Sequence, residues 1–198
     1  MIKRRIRIGT FIPLVVLFGS LFFAGNVFAH CDTMDGPVVK AAREALRTRN
    51  VNLVLIWVNE NDEAEVKEKF QQTLAVRKLN RQAKELADNY FFESLVRLHR
   101  LGEGEPYTGL KPHGTDLGPV IPLADKSLAA GSADQLLKLF PAATHTEIQE
   151  RFQETLKRRQ FKPDDVQAGR AYVKAYITFM HHVEELYEHK AETKISRS

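Results

Sequence analysis

His30 and Cys31 are the two neighbouring residues with the most chemistry to offer, provided the chain is cut just before them. A free α-amine at His30 would have a pKa of about 7.7–8, low enough to yield its proton to a metal ion. The Cys31 thiolate is a soft ligand and the His30 imidazole a borderline one. Amine, Cys31 backbone nitrogen and Cys31 sulfur follow one another along the chain, so together they close two adjacent five-membered chelate rings. Ni(II) and Cu(II) favour such tetragonal fields, and the imidazole can add a ligand from the side. Asp35 is a third candidate, as a carboxylate ligand or as the cap of a following helix. Met34 is a packing residue or a thioether donor.

The cut itself is predicted by the residues before it. Lys3, Arg4, Arg5 and Arg7 make a basic head, Ile8 to Gly25 is nearly all apolar, and Val27-Phe28-Ala29 ends in a small residue. That order reads as a signal peptide over residues 1–29, with cleavage after Ala29 by signal peptidase. An uncleaved anchor is the alternative, while bulky His30 before Cys31 argues against a lipoprotein. The expectation is therefore an exported protein, periplasmic or secreted outside the cell. Removing the leader removes its four basic residues, so residues 30–198 carry 25 basic and 25 acidic side chains. A neutral domain gives no nucleic-acid footprint and no reason for membrane contact after cleavage. The chain has a single cysteine, so Cys31 has no internal disulfide partner and stands as an unpaired thiol.

The elements that must position these groups read as helices. Asp35-Gly36-Pro37 opens the first, with Asp35 as cap and Pro37 in the first turn, and Val38, Val39, Ala42, Ala45 and Leu46 recur at helical spacing. Residues 51–58 form a short apolar run that fits a buried helix turn or a strand, and it is read as helix because its neighbours on both sides are helical. Asp62 to Leu101 spans forty residues without Gly or Pro, one very long helix or two end to end. Gly102 to Pro122 then holds five glycines and four prolines, which exclude regular structure and predict a long functional loop. Helical patterning resumes over Leu123–Phe140, broken near Gly131-Ser132, then over Thr144–Phe161, and from Pro163-Asp164-Asp165 to about Glu192. The expected architecture is all-α, an up-and-down bundle of four or more helices forming one domain over residues 30–198.

The stretch His30-Cys31-Asp32-Thr33-Met34-Asp35-Gly36 resembles the N-terminal hook of the nickel superoxide dismutases, which reads H-C-x-x-P-C-G. His30, Cys31 and Gly36 match in register from the expected mature start, and that family is also a helix bundle. The resemblance implies that His30 supplies amine and imidazole ligands, and Cys31 thiolate and amide. Asp35 stands where the family has its second cysteine, Met34 where it has proline, and Val38 where it has tyrosine. A carboxylate donates less to a high oxidation state than a thiolate, so copper is as credible here as nickel.

Other groupings compete less well. His182, Glu185 and His189 share a helical face, with His181, Glu184 and Glu188 as an overlapping set; a solvated charged face explains both. His99, beside Tyr90-Phe91-Phe92, reads as a core histidine with satisfied hydrogen bonds. Tyr107, Lys111, His113 and Asp116 give the loop polar residues suited to a lid over the hook. The function expected is metal binding through residues 30–36, with Ni or Cu as cofactor, in a redox enzyme like superoxide dismutase. A non-enzymatic metal carrier or helical interaction protein is the alternative. The metal ion is the expected partner, and self-association is left open.

Overall fold

The computed structural model describes residues 29–195, with side chains over 30–190. The expected leader, save the backbone of Ala29, lies outside the described residues. Among the described residues there are eight α-helices and no strand, so the chain is an all-α helical bundle.

Helix α1 (Pro37–Thr48) starts as predicted, with Pro37 in its first turn, but its cap residue is Gly36 rather than Asp35. The Asp35 carboxylate faces away and accepts a hydrogen bond from the Gly114 backbone N–H at 3.3 Å. Gly36 is demanded by close approach: a Cβ there would lie 2.3 Å from the His30 carbonyl oxygen. The apolar run after α1 yields one helical turn, α2 (Asn52–Leu55), and then turns that bury Trp57 and Val58.

The forty-residue span is neither one helix nor two end to end. It is a hairpin of α3 (Glu63–Val76) and α4 (Arg81–Glu103). Asn80 makes the break, because its side chain accepts from the Ala83 backbone N–H at 2.8 Å and restarts the helix. Arg77 reaches across the turn, with Nε 2.7 Å from Asp88 Oδ1, and closes the hairpin. Gly104 ends α4 in the left-handed conformation (φ 77°) that glycine adopts without penalty.

The irregular segment is shorter than its glycines and prolines suggest, because α5 (Val120–Ala130) already contains Pro122 in its first turn. One-turn α6 (Asp134–Leu137), α7 (His145–Arg158) and α8 (Val166–Ile195) complete the chain. Helices α1, α3 and α4 form one half, and α5, α7 and α8 the other. A single apolar core runs through both, with Phe70, Phe91 and Phe92 in the first half and Phe152 and Phe179 in the second. The first 3-10 turn (Ala29–Asp32) packs on α1.

Replacing Asn80 by Ala should cost about 0.5–2 kcal/mol of stability, as the loss of a helix cap does. Urea unfolding checks this, and an unchanged midpoint would mean the turn is held by the Arg77–Asp88 pair alone.

Candidate functional site

The short turn at Ala29–Asp32 carries His30 into the bundle, against side chains from α5 and α8. His30 Nε2 lies 2.8 Å from the Tyr176 hydroxyl and 3.0 Å from Asp125 Oδ2. The Tyr176 hydroxyl donates to Asp125 Oδ1 at 2.9 Å. An ionised carboxylate only accepts, so the proton of the neutral imidazole belongs on Nε2. Nδ1 is then the lone-pair nitrogen, and it is buried with no hydrogen-bond partner. Burial works against the Asp125 charge, but the hydrogen bonds from His30 and the Tyr176 hydroxyl outweigh it and hold the carboxyl below its usual pKa. Burial, followed by the Asp125 charge, pushes the Tyr176 phenol well above its ordinary value, so the hydroxyl keeps its proton.

Cys31 is 8 % exposed. Burial first, then the charges of Glu103 and Asp32, raises its thiol pKa well above the ordinary value, with Arg100 opposing. Asp32 is buried too, and Arg100 Nε stands 3.6 Å from its carboxylate. The same guanidinium meets Glu103 at 3.1 Å and Glu105 at 3.7 Å, so one buried arginine serves three acids. Burial nonetheless pushes Glu103 up to about 7. Asp32, Arg100, Glu103, Asp125 and Tyr176 are the members of this cluster that the sequence reading did not single out. Asp125 left one signal, as the single acid of α5, directly after five apolar residues.

His99 fits the expectation for a core histidine on one side of its ring. Its Nδ1 donates to the Trp57 carbonyl at 2.8 Å, and burial lowers its pKa to about 4, so it is neutral. Trp57 packs edge-on against both His99 and Tyr176, with ring centroids 5.6 and 6.1 Å apart, linking the two halves of the cluster.

The Gly/Pro-rich segment lies against the hook. Lys111 N–H donates to the Asp32 carbonyl at 2.8 Å, and Met34 N–H donates to the Lys111 carbonyl at 3.0 Å. Asp35 adds its bond to Gly114, with His113 Nε2 3.6 Å away. Asp35 therefore fastens the loop, while His30 and Cys31 turn inward. His182 sits 3.5 Å from Glu147 of α7. Among the described residues no three His, Cys, Asp or Glu side chains converge to hold a metal ion. A metal at this end would have to take backbone nitrogens beside His30 and Cys31.

The profile of one protein family, described as a family of unknown function (DUF6448), matches residues 35–182, a span that begins just after the hook's His30 and Cys31. No curated protein and no solved structure matches the chain.

The Glu103 environment gives a stability signature with a definite sign. Its folded pKa of about 7 exceeds the ordinary 4.5, so between those values the folded chain holds more protons than the unfolded one. Its contribution to stability is complete below the lower value and is lost as pH rises through the upper one. Glu103→Gln should therefore gain on the parent across that window, read as the difference between two urea-unfolding series. A constant difference would contradict the raised pKa.

Proposed function

The chain belongs to that family of unknown function, and we propose that it is an exported metal-binding protein whose N-terminal His30-Cys31 hook takes copper or nickel. One observation carries the reading. The His30 ring is fixed through Nε2 by Asp125 and Tyr176, leaving Nδ1 buried and without a partner. Metal-bound histidines are commonly held in this way, with a carboxylate on the far nitrogen that sets tautomer and orientation. Cleavage after Ala29 would add the amine, and Cys31 would add its amide nitrogen and sulfur.

Electrostatics support the same occupant. The acids that hinder loss of the Cys31 proton, Glu103, Asp32 and Asp125, favour a cation beside the sulfur. Metal binding would release the thiol proton, and the acids would then face a compensated charge. Arg100 limits that field and keeps the acids in place.

Between a redox enzyme and a carrier, burial favours the enzyme. A carrier must exchange its metal readily, whereas Cys31 is buried and residues 111–114 are bonded to the hook backbone and Asp35. A bound copper or nickel ion supplies a one-electron couple, the chemistry of superoxide dismutation. The chain's own residues orient the imidazole, bury the sulfur and hold the loop against residues 32–35. The proposed ligands are His30 and Cys31, and Asp35 anchors the loop.

The test uses the exported protein. Mass spectrometry should give His30 as the first residue, metal analysis should give stoichiometric copper or nickel, and the loaded protein should dismute superoxide. Cys31→Ser should lose the metal, and Asp125→Asn should weaken its binding about 10–100-fold, as loss of a supporting carboxylate does. An N-terminus elsewhere, or full metal content in Cys31→Ser, would overturn the reading. Tight metal without dismutation would leave the carrier.

A further inference from the structure

The turn of the α3–α4 hairpin has two properties that rarely coincide on a soluble surface without a partner. Its large aliphatic side chains are outside: Leu79 is 70 % exposed, Leu86 73 % and Val76 41 %. Its charge is one-sided as well. Between Val76 and Leu86 lie Arg77, Lys78, Arg81 and Lys84 against the single acid Glu85, in a chain whose residues 30–198 are neutral overall.

The register of the hairpin gathers the aliphatic groups. Lys69 of α3 and Tyr90 of α4 meet across the antiparallel pair, with Nζ 2.7 Å from the hydroxyl. Val76 lies two turns beyond Lys69 along α3, and Leu86 one turn before Tyr90 on α4, so both fall on the face that this contact marks. Leu79 crowns it at the connection. On another side of the turn, Arg49, Arg77, Lys78 and Lys84 line a cavity of about 560 Å³, within the size range of small-ligand clefts. Arg77 and Lys84 are held by Asp88, with nitrogen–oxygen distances of 2.7 and 2.6 Å. Arg49 and Lys78 face solvent.

We propose that this tip docks on the surface of an anionic lipid bilayer, with Val76, Leu79 and Leu86 entering the headgroup boundary and the basic cleft taking a lipid phosphate. Aliphatic side chains flanked by lysine and arginine are the combination that binds such an interface. A second copy of the chain is disfavoured by its own charge, because a two-fold contact would set this basic turn against itself. Among the described residues no helix is long and apolar enough to cross a membrane, so the contact is peripheral. The neutrality of residues 30–198 as a whole hides this basic patch at one end.

The experiment is sedimentation of the exported protein with vesicles of phosphatidylcholine alone or mixed with phosphatidylglycerol. Binding should require phosphatidylglycerol and weaken with salt. Lys78→Glu with Arg81→Glu, and separately Leu79→Ser with Leu86→Ser, should each reduce it by about tenfold or more. These side chains are exposed, so circular dichroism and the melting temperature should match the parent. A dye on Leu86→Cys should shift to the blue on anionic vesicles only. No binding to phosphatidylglycerol would overturn the proposal. So would equal binding to neutral vesicles, full competition by free inorganic phosphate, or a dimer that buries the dye without lipid.

Discussion

The imidazole of His30, held between Asp125 and Tyr176, is the interaction on which the arrangement of this molecule turns. It ties the segment before α1 to α5 and α8, which lie in the other half of the bundle. Three groups share two protons in a buried space, and each has a partner that matches its charge. The carboxylate accepts twice, the phenol keeps its proton, and the imidazole gives up one nitrogen to the network. The other nitrogen has none. A buried acceptor without a donor is costly in a protein interior, and the ligand proposed above would remove that cost.

Near that triangle, the fold gathers a further set of buried charges. Arg100 answers Asp32, Glu103 and Glu105, and its 5 % side-chain exposure means solvent screens little of this. Burial keeps Glu103 from ionising readily, with the charges of Asp32 and Glu105 adding to it and Arg100 opposing. Cys31 stands in the same field. The acids around Cys31 and the unpartnered nitrogen are separate observations, one of charge and one of geometry, and the metal cation proposed above would answer both.

The class of fold was legible because helical periodicity recurs on both sides of the glycine- and proline-rich segment, and the one strand-like run, 51–58, lies between helical neighbours. The hook offered itself as a candidate because its residues are contiguous, and in the fold its glycine is forced by the His30 carbonyl. The helical hairpin was not, because an asparagine cap inside a polar stretch looks like any other polar residue until its side chain bonds to Ala83. Asp35 illustrates the same limit: it stood in register for a ligand or a cap, yet the loop claims it, and no local pattern encodes a contact 79 residues away. Tyr176 was visible only as one of several apolar positions on α8. Its hydroxyl acquires a role from residues 51 and 146 positions distant, which periodicity does not record.

The central claim concerns one nitrogen, and a nitrogen-resolved measurement tests it most directly. The protein beginning at His30, with histidine labelled by ¹⁵N, can be followed by NMR as one equivalent of Ni(II) is added. The account predicts that His30 carries its proton on Nε2 before addition, and that Nδ1 takes the metal-induced shift while Nε2 stays bonded to Asp125. A proton on Nδ1 in the metal-free protein, or a His30 ring indifferent to the metal, would contradict it.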